Sequence, residues 1–384
     1  AIGNPGIEPE TVREFTVGFD ADLFGRSSLS ATYFYNKAEG SIINFQEAPS
    51  TGLVASARPF NVGEKKGQGV EVDLSVTPIQ RDFISVTADF LYSYNTNTVQ
   101  SLGGAQPVFG GFSRNVTKVG LPQNAFYMFT SEVQYLDESG NPLTGDVNPS
   151  EVADYEVVPG KTNENGQPVR EFLGTPEPNH SASFSLNVSL FENLRLYGLL
   201  DITRGLRVYD GNRAFTSGLS AAIAANKPLN IARYVLSDQS SPFEGLSDEA
   251  LRDANLPYLT NFEPNSATPG TQEYVRQARI FANNQTGVAG NATEGNFVSD
   301  GDYIKLREVS VSYNFSDLVN RLSPTSAVDN VTLSLSARNI FTVTDYTGFD
   351  PEVNFTGGEG AIQGQDFLTL PQPRTLTASI NLRF

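Results

Sequence analysis

The sequence predicts an all-β protein with about nine to ten antiparallel strands, of the kind found in a large transmembrane β-barrel with long extracellular loops. Three observations predict this class. Apolar and polar residues alternate in nine segments, the apolar positions carry no charge, and the connections between segments alternate between short and long. A strand with one apolar and one polar face has this period of two.

The alternation is clearest in the last segment, where Leu376, Ala378 and Ile380 alternate with Thr377 and Ser379. The nine segments are residues 15–23, 29–35, 70–76, 84–94, 182–190, 194–202, 309–315, 331–337 and 376–384. No apolar-face position is Asp, Glu, Lys or Arg. The interleaved positions carry Asp20, Asp22, Glu71, Asp73, Asp89, Arg195, Asp201 and Arg383. A charge-free face suits a soluble core or hydrocarbon, where one Lys or Arg at the bilayer midplane costs roughly 2–4 kcal/mol.

The connections favour the membrane. The short ones are residues 25–27, 78–82, 192–193 and 316–330, and the long ones are 37–69, 95–181, 204–308 and 339–374. Outer-membrane barrels place short turns on the periplasmic side and long loops outside. With that orientation the ninth strand ends inside, and nine is not the even number of bacterial single-chain barrels. We therefore expect further strands before residue 1, and we expect this chain alone not to be a stable spanning unit.

Composition excludes several function classes. The chain has 384 residues, 26 Lys+Arg against 43 Asp+Glu (net charge −17), no Cys and one His. Nucleic-acid binding needs a surplus of basic residues, so no nucleic acid is expected as a partner. His180, at the start of a strand, is interpreted as an interfacial hydrogen-bonding residue. We predict no enzyme activity, no catalytic residue and no cofactor.

Two pairs of carboxylates could in principle bind a calcium ion. Asp300 with Asp302, or Asp350 with Glu352, offers the oxygen ligands that Ca²⁺ prefers. Their spacing matches no EF-hand, so solvated loops are the favoured interpretation and no metal site is predicted.

Five stretches resemble one family of membrane proteins. They are residues 4–20, 61–71, 301–309, 337–354 and 371–384. The first resembles the opening of TonB-dependent receptor barrels, and the others resemble landmarks of the SusC/RagA branch. The sequence departs from the family pattern at residues 119–127. The chain thus resembles the C-terminal β-barrel part of a SusC/RagA-like TonB-dependent outer-membrane receptor or transporter.

The resemblance implies a gated importer in the cell outer membrane, with a barrel of about 22 strands closed by an N-terminal plug. Residues 1–384 would be the C-terminal portion of that barrel, with the plug domain and N-terminal strands absent. The implied cargo is a nutrient such as a glycan or oligopeptide. The implied partners are the TonB–ExbB–ExbD system acting through the absent N-terminal part, a SusD-like surface lipoprotein, the barrel-assembly machinery and outer-membrane lipid.

The site residues follow from the same resemblance. The charged residues expected to face the lumen are Asp20, Asp73, Asp89, Asp201 and Arg338. The family motif Asp350-Pro351-Glu352 is interpreted as a structural loop element in preference to a ligand contact. Phe384, at the end of the closing strand, would be the signal for barrel assembly.

Two other function classes stay open at this point. The chain by itself could form a passive outer-membrane porin or a β-rich surface adhesin. A soluble secreted β-sandwich is the weaker third alternative, and it predicts solubility without detergent. A plug domain encoded upstream of residue 1 would distinguish the importer from all three.

Overall fold

The computed structural model describes residues 4–46, 57–110, 114–145, 154–218, 294–322, 330–357 and 362–383. Nine long strands, numbered here β1 to β9, dominate it. They are β1 Thr11–Leu23, β2 Ser27–Gln46, β3 Ala57–Arg81, β4 Ile84–Ser101, β5 His180–Leu190, β6 Leu194–Arg204, β7 Tyr303–Asn314, β8 Asn330–Thr344 and β9 Thr375–Arg383.

The nine strands form one antiparallel sheet in which each strand pairs with its predecessor among them. The predicted all-β class and the number of strands are confirmed. Within the described residues, β1 and β9 are the edges of this sheet, and each pairs with one long strand.

The register aligns the two faces across all nine strands. One cross-strand row runs from Asp22 to Thr375 through Ser28, Ser75, Asp89, Ser185, Leu199, Glu308 and Arg338. The next row runs from Leu23 to Leu376 through Ser27, Val76, Ala88, Leu186, Gly198, Val309 and Ala337. Because successive residues of a strand point to opposite faces, these rows belong to a polar and an apolar face.

Several strand limits differ from the prediction. β2 and β3 extend together to Gln46 and Ala57, so the first long connection is residues 47–56 rather than 37–69. β7 begins at Tyr303, six residues before the predicted start. Against β6, Leu306 pairs with Leu200 and Glu308 with the adjacent Leu199, which leaves Arg307 as an extra, bulged residue. The bulge moves the apolar positions from even to odd numbers and so interrupts the alternation.

The alternation of connection length is confirmed, in that each short connection is shorter than the long ones beside it, although 47–56 is shorter than 315–329. The short connections are residues 24–26, 82–83, 191–193 and 315–329, the last of which contains the helix Ser316–Leu322. The other long connections are residues 102–179, 205–302 and 345–374. All long connections leave the same end of the sheet because neighbouring strands are antiparallel.

The described residues of the three longest connections pack into what we call the loop layer. A four-stranded sheet joins Val108–Phe109, Asn115–Thr117, Ala125–Met128 and Glu171–Gly174, and Ser131–Leu136 pairs with Asp154–Pro159. A three-stranded sheet joins Val298–Asp300, Arg207–Asp210 and Gln365–Asp366. The helix Gly211–Gly218 and the 3₁₀ turn Glu294–Phe297 complete the layer.

The hydrophobic core lies in and beneath this layer. Phe126, Met128, Tyr209 and Phe297 form one buried cluster. A second joins Leu206, Val208 and Tyr346 to Tyr303 at the start of β7. Within the described part of the chain, no helix has the length and apolar character needed to cross a membrane.

Candidate functional site

The polar face carries a recess of about 580 Å³ between β1 and β6. Its acidic lining residues are Asp20, Asp22, Asp73 and Asp89. Ser75 Oγ donates to Asp89 Oδ1 at 2.7 Å, and Ser185 Oγ donates to Asp89 Oδ2 at 2.8 Å. Three of the residues predicted to face the lumen, Asp20, Asp73 and Asp89, thus lie together on one face.

Asp201 lies on the same face but belongs to a different group of charges. Ser183 Oγ donates to Asp201 Oδ1 at 2.8 Å, and Arg307 Nε donates to Asp201 Oδ2. Arg307 also donates from Nη1 to Glu352 Oε2 at 2.7 Å. Arg307 therefore links strand β6 of the nine-stranded sheet to the last long connection, residues 345–374.

Lys305 makes the second link between the nine-stranded sheet and that connection. Its side chain is 2% exposed, and Nζ lies 3.1 Å from Oδ1 of Asp350, which is 7% exposed. Lys305 also forms an ion pair with Glu352. Breaking a buried pair by removing one partner is costly because it leaves an uncompensated charge. These ion pairs therefore fix the motif 350–352 against β7.

Hydrogen bonds hold the two carboxylates in place. Tyr303 Oη donates to Glu352 Oε1 at 2.8 Å, and the backbone N–H of Gln372 donates to Asp350 Oδ2 at 3.1 Å. Burial opposes the ionisation of Glu352. The hydrogen bonds from Arg307, Lys305 and Tyr303 outweigh it and lower the pKa of Glu352 to about 2. Glu352 is therefore a carboxylate at any physiological pH.

The bulge explains why these charges meet. Before the bulge, Lys305 of β7 pairs with Asp201 of β6, and both side chains lie on the polar face. After the bulge, Glu308 pairs with Leu199 of β6 on that same face. Glu308 accepts from Nε of Arg338 at 3.0 Å, but Arg338 is 63% exposed. Arg338, the fifth residue predicted to face the lumen, thus forms a surface ion pair beside the buried cluster.

The remaining predicted residues have simpler surroundings. Nδ1 of His180, on the apolar face, lies 2.8 Å from the hydroxyl of Tyr92. Asp300 is ion-paired with Arg207 at 2.8 Å, and Asp302 accepts the backbone N–H of Leu206 at 3.0 Å. Phe384 lies outside the described residues. In the part of the chain that the structure describes, no group of three or more His, Asp or Glu side chains is arranged to hold a metal ion.

The sequence pattern did not predict a role for Lys305 or Arg307. A signal was present: Ile304 and Leu306 alternate with Tyr303, Lys305 and Arg307, which marks a strand whose polar face carries two cations. The phase change at Arg307 separated this stretch from the segment that follows it. The partners Asp350 and Glu352 lie more than 40 residues away along the chain.

Comparisons with known proteins agree with this architecture. Residues 1–162 match the family model described as TonB dependent receptor-like, beta-barrel. TonB-dependent receptor P26 of Formosa agariphila is 24% identical over 403 residues, which cover 99% of this chain and 35% of the relative. TonB-dependent receptor P3 of the same organism is 24% identical over 400 residues, covering 100% and 35%. The chain therefore spans about a third of the length of the curated relatives it matches.

Solved structures share the fold. The RagAB peptide importer in its closed-closed state matches with a TM-score of 0.64 and 19% identity, covering 100% of this chain and 36% of that chain. The open-open state matches with a TM-score of 0.65 and 18% identity, covering 99% and 35%. The resemblance drawn from the sequence is thus confirmed: the chain is similar to the β-barrel part of TonB-dependent receptors, and it has the fold seen in the RagAB importer.

Proposed function

We propose that this chain is the C-terminal portion of the barrel of a TonB-dependent outer-membrane transporter that imports nutrients. Its function is transport rather than catalysis. In this proposal the plug domain and the N-terminal strands lie in the rest of the full-length protein. The observation that carries the proposal is the two-faced sheet, in register over nine strands, with its long connections gathered at one end.

The apolar face supports a location in lipid. Its side chains are exposed over several strands, including Phe15 at 59%, Ile380 at 69% and Leu376 at 85%. Soluble monomeric proteins rarely expose an apolar surface of this extent. A bilayer would cover it, whereas the polar face with its recess would line the lumen. Asp20, Asp73, Asp89, Asp201 and Arg338 are then residues of the lumen wall, in line with their positions on the polar face.

The comparisons favour particular partners and cargo. TonB-dependent relatives support energy coupling through TonB–ExbB–ExbD, and the similarity to the RagAB peptide importer favours an oligopeptide over a glycan and supports a SusD-like surface lipoprotein as partner. Assembly would use the barrel-assembly machinery, with Phe384 as part of its signal. The ion-paired motif of Asp350, Pro351 and Glu352 would support the mouth of the barrel.

Uptake in whole cells tests the importer. A strain lacking the gene, and the same strain carrying the full-length gene, receive a mixture of fluorescently labelled oligopeptides, with labelled oligosaccharides as a parallel probe. We expect accumulation of peptide only with the gene present, and its loss when a protonophore collapses the proton gradient. Equal accumulation in the two strains for both probes would overturn the proposal.

A conductance measurement distinguishes a passive porin from the proposed importer. The purified full-length protein is reconstituted in planar bilayers. A barrel closed by a plug gives no steady open current, so the importer predicts a silent membrane. A stable conductance, together with uptake that persists in the presence of protonophore, would replace the importer with a porin.

A further inference from the structure

Two buried aspartates lie side by side in the loop layer. The strands Arg207–Asp210 and Gln365–Asp366 pair in parallel, with Asp210 opposite Asp366. Asp210 is 4% exposed and Asp366 is fully buried. Like charges directly opposite one another destabilise a sheet, and burial without compensation increases the cost. Two ionised carboxylates are therefore unfavourable at this position.

The immediate partners of Asp366 are neutral. Tyr346 Oη donates to Asp366 Oδ2 at 3.0 Å, and Asn212 Nδ2 donates to Asp366 Oδ1 at 3.0 Å. Burial raises the pKa of the Tyr346 hydroxyl, and the charges of Asp210 and Asp366 raise it further, so this group remains a donor. Asp366 thus has two good hydrogen bonds, neither of which comes from a cation.

A cation of the described residues, Arg213, interacts with Asp210. Asp210 Oδ1 accepts the backbone N–H of Arg213 at 2.8 Å, and the guanidinium of Arg213 interacts electrostatically with Asp210. Asp350, a third carboxylate in the neighbourhood of Asp366, is already paired with Lys305. Arg114, which stacks on the ring of Tyr209, is paired with Glu294. Among the contacts of the described residues, Asp210 thus interacts with a guanidinium, whereas Asp366 accepts from neutral donors.

We infer that Asp210 and Asp366 form a carboxyl–carboxylate pair that binds one proton, and that this proton secures the joint between the two long connections 205–302 and 345–374. The joint consists of the parallel pairing at Asp210 and Asp366, the hydrogen bond from Tyr346, and the hydrogen bonds of Asn212 to Asp366 and to the backbone N–H of Leu368. Loss of the proton places two negative charges opposite each other within it. The loop layer thereby becomes sensitive to pH.

The direction of the effect follows from the buried carboxyl. Burial raises the pKa of Asp366, and the charge of Asp210 adds to this rise; the hydrogen bonds from Tyr346 and Asn212 lower the pKa but do not outweigh it. A group whose pKa is higher in the folded than in the unfolded state stabilises the fold fully at low pH and loses that contribution as pH rises through the folded pKa. The joint is therefore tightest in mild acid and loosens as the solution becomes more alkaline.

Infrared spectroscopy on the full-length receptor tests the proton directly. The band of a protonated carboxyl C=O is followed against pH for the wild type, for Asp366→Asn and for the exposed loop-layer control Glu138→Gln. We expect a band in the wild type and in Glu138→Gln that persists above the pH at which exposed carboxyls ionise. Asp366→Asn should lack that band. A wild type without it, or a band that survives in Asp366→Asn, would overturn the inference.

A second variant tests whether the ionisation of Asp366 depends on the charge of Asp210. Asp210→Asn removes the opposing charge, so the midpoint at which the Asp366 band disappears should move to lower pH. Amide hydrogen exchange of residues 207–210, divided by the intrinsic rate at each pH, should show protection that falls with rising pH in the wild type and stays constant in Asp366→Asn. An unshifted midpoint, or protection independent of pH in the wild type, would show that the two carboxyls are not coupled.

Discussion

The nine-stranded sheet and the loop layer are stabilised in different ways. In the sheet, most side chains on the apolar face remain at least partly exposed, and the polar face is open around its recess. In the loop layer, Phe126 and Tyr209 are fully buried in a core of the chain's own making. The described residues thus leave the apolar face of the sheet uncovered, whereas the loop layer has a hydrophobic core formed by its own residues.

The boundary between the two regions is ionic as well as hydrophobic. Lys305 and Arg307 rise from β7 and meet Asp350 and Glu352 from the last connection. Because Lys305 and Asp350 are almost fully buried, removing either partner costs more than it would in a surface pair. Substitutions in the sheet, in the loop layer and at this boundary should therefore differ in their effects.

The largest effect is expected in the core of the loop layer. Phe126→Ala leaves a cavity at a fully buried site and should destabilise the layer by about 3–5 kcal/mol. Phe19→Ala is the matched control, because Phe19 is 56% exposed on the apolar face and leaves no cavity. Hydrogen exchange of residues 125–128 in the full-length receptor measures the effect. Equal loss of protection in both variants would remove the distinction between the regions.

The boundary should respond almost as strongly. Lys305→Met leaves Asp350 and Glu352 short of a cation in a buried setting and should cost roughly 3–5 kcal/mol. The expected readout is faster proteolysis within residues 345–374 of the full-length protein. If residues 345–374 stay as resistant as in the wild type, the ion pairs do not anchor the motif.

A charge on the apolar face tests its contact with lipid. Val311→Arg should lower the stability of the inserted barrel, because an arginine on the lipid-facing side is costly, by up to roughly 2–4 kcal/mol at the bilayer midplane and less towards the interfaces. Ser312→Arg places the same side chain on the polar face, where Ser312 now donates to Ser334, and it should be tolerated. The fraction of folded, heat-modifiable barrel on a gel measures both. Equal tolerance of the two variants would contradict the assignment of the faces.

Acid should weaken the boundary through Glu352. Its pKa is about 2 in the folded protein, below its ordinary value, so its stabilising contribution is complete above about pH 5 and is lost as pH falls towards 2. We expect a loss of about 3 kcal/mol over that range, which the protease resistance of residues 345–374 should report. Glu352→Gln should abolish this pH dependence. The direction is opposite to that of Asp366, so the two carboxyls can be told apart.

The smallest effect is expected at Arg338. Its ion pair with Glu308 is mostly exposed, and such pairs contribute less than about 1 kcal/mol. Arg338→Met should therefore leave the proteolysis of residues 345–374 unchanged under conditions where Lys305→Met accelerates it. A loss as large as that of Lys305→Met would place the anchor at Glu308 instead.

Much of the sheet could be predicted because its information is local. A side chain every second residue reports the face to which it belongs, so the number of strands and the order of short and long connections were correct. The ends of β2, β3, β4, β7 and β8 were not. In β2, β3 and β7 charged residues such as Lys37 and Lys305 occur within the strands and hide their true length. The bulge at Arg307 also changes the phase of the pattern in β7.

Two chemically distinct faces and long connections at one end of the sheet are written into neighbouring residues, and both could be predicted for that reason. Which charges meet depends instead on how distant segments pack. Lys305 with Asp350, and Asp210 with Asp366, are brought together by a bulge and by the packing of separate connections. Such contacts join residues far apart in the chain, and no local period encodes them.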